Sequence, residues 1–228
     1  MQTKENIYLT DQNQVKIEIQ GVHLNGELLL PHEAKGLVIF SQGNGSGIFG
    51  SANQMVAKSL RDKGFGTLLF DPFTKEENMI YENRFNIDLL TSRLLAVTKW
   101  AVNGRGLPVG FFGTGTGAAS ALRVARILDN KVMCVVSRGG RADLAGDALQ
   151  EIKSPVLLIA GGLDSPIIEL NQRAMHEMSG KGMLLIIPGA SHLFEEEGKM
   201  ERVVDATLQW YEAYLKRPVS VISDENSK

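Results

Sequence analysis

The sequence is poor in the features that mark membrane, exported and nucleic-acid-binding proteins. No apolar run approaches the ~20 residues of a membrane-spanning helix, and the polar first residues lack the apolar core of an export signal. Acidic residues (26) slightly outnumber lysine and arginine (24), so no basic surface for nucleic acid is expected. The one cysteine, Cys134, cannot form an internal disulfide and is expected to be a small buried side chain. These absences favour a cytoplasmic protein whose partner is a small molecule, not a nucleic acid or a membrane.

Short apolar runs alternate with amphipathic segments along most of the 228 residues. Two strand-like runs come first, at 15–20 and 22–31, with Asn25-Gly26 as a candidate turn or bulge. Further strands are predicted at 36–40, 66–70, 107–113, 132–137, 156–160 and 183–187, and the main helices at 52–63, 86–102, 118–125, 168–178 and 199–215. Continuous apolar strands separated by helices predict an α/β fold with a mostly parallel, doubly wound sheet and helices on both faces. We expect one domain over residues 1–219 and a disordered tail at 220–228.

Residues 113–117 read Gly-Thr-Gly-Thr-Gly between a predicted strand and a predicted helix. A tight strand–turn–helix junction with the pattern Gly-x-Ser-x-Gly is a nucleophile elbow, which lifts one hydroxyl above the sheet edge. Gly115 occupies the central position, so the frame of the elbow is present and its hydroxyl is missing. The flanking Thr114 and Thr116 are expected to point elsewhere.

Two more polar residues follow predicted strands, where the ligands of doubly wound sheets bind. Asp164 comes after the strand at 156–160, and His192 comes after the strand at 183–187. Alone, each has an ordinary explanation as a turn residue or a surface histidine. Together, behind the elbow, they have the order nucleophile, acid, base of the α/β hydrolases. The order predicts that Asp164 orients His192 by a hydrogen bond of roughly 2.6–3.2 Å, and that His192 is the base.

A glycine-rich segment at 43–47 follows the strand at 36–40 and predicts the second half of an oxyanion hole. The backbone N–H groups of Asn44 and Thr116 would be its donors, with Thr116 opening the helix after the elbow. A flexible loop or a phosphate-binding loop would also be rich in glycine. The segment has neither Gly-Lys-Ser/Thr nor Gly-x-Gly-x-x-Gly, so no nucleotide cofactor is expected, and no metal ligand set is predicted.

These motifs resemble the dienelactone-hydrolase family of α/β hydrolases, and in it the small bacterial hydrolases found alone or joined to a phosphoribosyltransferase domain. The matching stretches are 36–46, 66–71, 84–90, 106–119, 136–141, 157–164 and 187–196. The most specific of them is Pro-Gly-Ala-Ser-His-Leu-Phe-Glu-Glu, which ends at residue 196. The resemblance implies the α/β-hydrolase fold and small esters, lactones or thioesters as substrates.

The sequence departs from the family pattern at two places. The family has Ser or Cys where this chain has Gly115, and its oxyanion strand ends in His-Gly where this chain has Gln42-Gly43. Gln42, Ser137 and Arg138 are candidate substrate-binding residues beside the elbow. A transfer of the nucleophile to a neighbouring hydroxyl is disfavoured.

Three functions remain open at this point, and present enzymatic activity is undecided among them. The first is a serine-hydrolase-type protein whose nucleophile is gone, through laboratory substitution or natural loss. The second is a non-catalytic protein that binds a small molecule in the same pocket. The third is an enzyme in which His192, supported by Asp164, activates a water in place of the serine. The oligomeric state is not predicted.

Overall fold

A computed structural model gives the architecture of the chain and describes residues 13–19, 21–43 and 50–216. The strands are β1 (Gln14–Ile19), β2 (Val22–Leu29), β3 (Leu37–Gln42), β4 (Gly66–Phe70), β5 (Val109–Thr114), β6 (Val132–Arg138), β7 (Val156–Gly161) and β8 (Gly182–Ile187). The α-helices are α1 (Ser51–Asp62), α2 (Lys75–Asn78), α3 (Ile87–Val102), α4 (Thr116–Leu128), α5 (Ser165–Glu177) and α6 (Lys199–Tyr214). Short 3₁₀ helices cover Tyr81–Phe85, Asp129–Lys131 and Ala142–Glu151.

The eight strands form one sheet in the order β1-β2-β4-β3-β5-β6-β7-β8. The pairs β1–β2 and β2–β4 are antiparallel, and every pair from β4–β3 to β7–β8 is parallel. The parallel strands therefore end at one edge of the sheet, with β5 near its centre. The predicted mostly parallel, doubly wound sheet is confirmed.

Helices cover both faces of this sheet because its central strands are apolar on both sides. Strands β3, β4, β5 and β7 are buried at every position. One core contains Leu94 of α3 and Leu122 of α4, and the opposite core contains Leu60 of α1 and Val203 of α6. The hydroxyl of Tyr211 donates to the Phe111 carbonyl at 2.7 Å, which fixes α6 against the elbow strand.

The structure corrects two local predictions. Asn25-Gly26 lies inside β2, and the chain turns at Gly21 (φ +76°). Gly26 is a glycine because a Cβ there would lie 3.0 Å from the Leu69 carbonyl oxygen of the neighbouring strand. The segment after β4, where the sequence predicts neither a helix nor a strand before residue 86, contains α2 and a 3₁₀ helix, because a capping box at Thr74 starts a helical turn.

The remaining predictions about organisation are tested only in part. Cys134 is buried as expected, and burial raises the pKa of its thiol above the ordinary value. Within the described ranges, no helix is long and apolar enough to cross a membrane. The predicted tail at 220–228 lies outside the described residues, and the single domain over 1–219 stays a prediction.

Candidate functional site

The junction between β5 and α4 has the geometry of an elbow. Gly115 follows the strand and caps the helix with φ +53° and ψ −130°, a conformation that L side chains rarely adopt. A Cβ on Gly113 would lie 2.6 Å from the Ala118 Cα, so the strand can turn into the helix only without a side chain there. A Cβ on Gly115, by contrast, would meet no atom of the described residues within 4 Å. Among these residues the apex of the elbow is therefore open, with space for a side chain above it.

The carbonyl of Gly115 ties the apex to the segment after β6. It accepts from Arg141 N at 2.9 Å and from Ala118 N at 3.2 Å. These contacts hold residues 139–141 beside the elbow. A Cβ on Gly139 would lie 3.4 Å from Cε1 of the His192 ring, so the same segment also supports the histidine.

Asp164 and His192 meet at the edge of the sheet, as the sequence predicts. Their Oδ2 and Nδ1 atoms are 2.6 Å apart. The loops that carry them are joined by a hydrogen bond from Leu163 N to the Ala190 carbonyl, at 2.9 Å. A carboxylate only accepts hydrogen bonds, so Nδ1 carries the proton and donates the hydrogen bond to Asp164. In the neutral ring Nε2 is then left with a lone pair, which is the state that a general base requires.

The loop of His192 is fixed by a residue that the sequence interpretation did not single out. Both carboxylate oxygens of Glu196 accept from Ser191 N, at 3.0 and 3.1 Å. These backbone hydrogen bonds hold the pKa of Glu196 below its ordinary value. Phe194 anchors the same turn with a buried ring and a left-handed backbone (φ +61°). The signal was present in the specific stretch that ends at Glu196, but only the fold shows which atom the carboxylate binds.

Thr116 starts α4, so the positive end of the helix lies at the elbow as predicted. Its hydroxyl points away from the apex and donates to the Arg84 carbonyl at 2.8 Å. A Cβ on Gly43 would overlap this hydroxyl, which explains the glycine after β3. Asn44, the other predicted oxyanion donor, lies outside the described residues, so the convergence of the two N–H groups stays a prediction.

The three candidate substrate-binding residues lie in different surroundings. Gln42 is buried, and its Oε1 accepts from Asn53 Nδ2 at 2.9 Å. Ser137 is 1% exposed and its hydroxyl lies beneath Gly140, so this hydroxyl is not presented to a ligand at the sheet edge. Arg138 is partly buried, and its Nη1 lies 3.6 Å from Met200 Sδ. Burial lowers the pKa of this guanidinium.

Asp164 and His192, which we call the dyad, are accessible to solvent, since 52% of the His192 side chain is exposed. A cleft of about 620 Å³ lies at the other edge of the sheet, before β3 and β4, and another of about 600 Å³ lies between β2 and α2. Neither is lined by the dyad or the elbow. Among the described residues, no group of three or more His, Cys, Asp or Glu side chains could hold a metal ion.

No protein-family model matches the chain. Among solved structures, the chain is similar to a dienelactone hydrolase from Anabaena variabilis, with 41% identity, a TM-score of 0.86 and coverage of 89% of this chain and 97% of that one. An α/β serine hydrolase without a lid from Xanthomonas campestris, at 18% identity and TM-score 0.73, covers 94% of this chain and is itself covered completely. That second similarity shows the fold alone.

Proteins named as phosphoribosyl transferases in two strains of Mycobacterium tuberculosis are also similar. They are 44% identical over 208 residues, which is 90% of this chain and 47% of theirs. The chain thus spans about half the length of these curated relatives. Because the Anabaena protein matches over nearly the whole of both chains, this chain belongs to the dienelactone-hydrolase family of α/β hydrolases.

Proposed function

We propose that this dienelactone-hydrolase-like protein binds small esters, lactones or thioesters at the elbow, and that it lacks covalent turnover because Gly115 stands at the nucleophile position. The observation that carries the proposal is the Asp164–His192 contact of 2.6 Å at the edge where the elbow apex is open. An acid–base pair kept in register with an elbow is expected of a hydrolase site, and it has no evident structural purpose on an exposed edge.

The remaining groups have the separate roles that an acyl-transfer site requires. Asp164 fixes the tautomer of His192, so that Nε2 can accept a proton from an attacking group. The N-terminus of α4, beginning at Thr116, favours negative charge on the oxygen of a bound carbonyl. No hydroxyl is present at position 115, so no acyl-enzyme forms there. Binding and oxyanion stabilisation alone would leave about 10³–10⁴-fold acceleration over water.

Arg138 is the candidate for a polar contact with the ligand. It ends β6 in register with Thr114, the residue before the elbow apex. Its guanidinium contacts the thioether of Met200, and no carboxylate of the described residues forms a salt bridge with it. A partly buried guanidinium of this kind is suited to an oxygen of the ligand. Gln42 is proposed as a weaker contributor, since its Oε1 is already bonded to Asn53.

Water-based hydrolysis is the second candidate function, and the open apex favours it. A Cβ at position 115 would meet none of the described residues within 4 Å, so the same volume has room for a water that His192 could activate. The base would then deprotonate that water directly, and the attack would proceed without a covalent intermediate.

A panel of esters, lactones and thioesters, assayed side by side on this chain and on Gly115→Ser, separates the candidates. Turnover by the serine variant alone supports a site that has lost its nucleophile. Turnover by both, abolished in each by His192→Ala, supports the water mechanism. Binding without turnover by either protein supports a non-catalytic binding protein. An absence of both binding and turnover overturns the proposal.

A further inference from the structure

Large apolar side chains are exposed along the segment between α2 and α3. Met79 is 86% exposed, Ile80 52%, Tyr81 62% and Phe85 58%. We call these four residues the apolar wall. Single exposed apolar side chains are ordinary on protein surfaces, but a cluster marks a place where something binds.

The backbone of the apolar wall is held firmly although its side chains are exposed. Thr74 and Glu77 form a capping box at the start of α2. Glu77 also pairs with Arg93 of α3 at 2.6 Å, and its carbonyl accepts from Asn83 Nδ2 at 2.8 Å. The backbone of the wall is thus fixed before a ligand arrives, so binding loses little backbone entropy.

The apolar wall borders the elbow on the side opposite the dyad. Arg84 lies in the turn that carries Tyr81 and Phe85. Its carbonyl accepts a hydrogen bond from the hydroxyl of Thr116, the first residue of α4. In the sheet, β3 and β4 lie on one side of the elbow strand, and β7 and β8, which lead to Asp164 and His192, lie on the other. The open apex at Gly115 therefore lies between the wall and the dyad.

The aromatic side chains of the wall form one unit. The rings of Tyr81 and Phe85 pack edge to face with centroids 5.4 Å apart, and the Arg84 guanidinium lies 5.4 Å from the Tyr81 centroid. Beside the dyad, Leu163 and Leu193 are also exposed, at 68% and 56%. Exposed apolar side chains thus lie both in the wall and in the two loops that carry the acid–base pair.

We propose that the apolar wall binds the alkyl or aryl group of a ligand whose carbonyl lies over Gly115, so that this site selects apolar acyl compounds over short polar ones. This inference rests on the proposed function, because it uses the same carbonyl position. The wall is continuous with the elbow through Arg84. A ligand that covers the wall would remove apolar atoms of the wall and of the ligand from water.

The test measures how binding depends on chain length, using methyl ketones whose alkyl group lengthens from propyl to octyl. Ketones have a carbonyl and no leaving group, so calorimetric titration of the unmodified chain reports binding without turnover. Each added methylene is expected to tighten the Kd about twofold to fourfold until the wall is covered. In a Tyr81→Ser/Phe85→Ser variant this dependence is expected to disappear.

The matched control is Ile127→Ser, which removes an exposed apolar side chain (48%) near the end of α4 that is remote from the elbow. It should bind every ketone as the unmodified chain does. An unchanged chain-length dependence in the Tyr81→Ser/Phe85→Ser variant overturns the inference. So does a loss of self-association in that variant, by sedimentation, without a change in ketone binding, because the wall is then a contact between copies of the chain.

Failure of the wall and failure of the proposed function give different results. If Gly115→Ser hydrolyses acetate and octanoate esters equally well, and ketones bind without regard to length, the hydrolase site stands and the wall does not. If ketones bind with the expected dependence but Gly115→Ser hydrolyses nothing, the wall stands and the catalytic proposal falls. If neither is seen, both are wrong.

Discussion

Introducing a serine at position 115 perturbs stability and activity in a way that the backbone geometry predicts. Gly115 has φ +53° and ψ −130°, and a residue with a Cβ is strained there by about 1–3 kcal/mol. No atom of residues 13–19, 21–43 or 50–216 lies within 4 Å of that Cβ, so these residues add no steric clash to the strain. Replacing glycine also restricts the unfolded chain, which recovers about 0.4–1 kcal/mol. We expect Gly115→Ser to lower the free energy of unfolding by about 1 kcal/mol and the Tm by roughly 2–4 °C.

The chain contains a matched control for the stability term. Gly146 has nearly the same backbone, φ +60° and ψ −139°, and a Cβ there also meets nothing within 4 Å in the described part of the chain. Gly146→Ser should therefore cost a similar free energy in urea and thermal unfolding. It should add no reactive hydroxyl at the elbow. A serine-directed phosphonate should label Gly115→Ser and leave both Gly146→Ser and the unmodified chain unlabelled.

Two results would refute this reasoning. If Gly115→Ser is as stable as the unmodified chain while Gly146→Ser is destabilised, the elbow backbone relaxes and is not held by its neighbours. If Gly115→Ser folds but neither labels nor turns over any ester, lactone or thioester, the acid–base pair and the oxyanion donors no longer act together. The protein is then better described as a binding protein.

Three further outcomes follow from the site. In the serine variant, Asp164→Asn should lower turnover about 10³–10⁴-fold with little change in KM, because the wrong His192 tautomer is then favoured; equal turnover would contradict the dyad. Glu196→Gln should lower stability near neutral pH but not in acid: the folded pKa of Glu196 is depressed, so its contribution is present above the ordinary value of 4.5 and is lost as pH falls through the folded value. Thermal unfolding of both proteins between about pH 7 and pH 3 measures this, and a pH-independent difference would exclude the carboxylate as its source. Gly43→Ala should destabilise by about 1–3 kcal/mol, since its Cβ overlaps the Thr116 hydroxyl; urea unfolding with no loss would show that this hydroxyl can turn away freely.

The order of residues along the chain was enough to predict the main strands and helices and the positions of the polar residues after them. Apolar runs of strand length, separated by amphipathic helices, were sufficient for the parallel sheet, because both patterns are local. The contact between Asp164 and His192 could also be predicted, since both residues follow parallel strands and such strands end at one edge. The glycines at 113 and 115 could be assigned to the elbow because a tight turn restricts residue type locally.

Which side chains reach that edge, and which contacts support them, became clear from the folded chain. Ser137 and Arg138 were both predicted to bind substrate, but successive residues on a strand face opposite sides of the sheet. Ser137 is consequently buried beneath Gly140, and Arg138 reaches Met200 of α6. The bond from Thr116 to the Arg84 carbonyl joins residues 32 positions apart, which no local pattern encodes. Such contacts depend on how helices pack onto the sheet, and packing is a property of the whole fold.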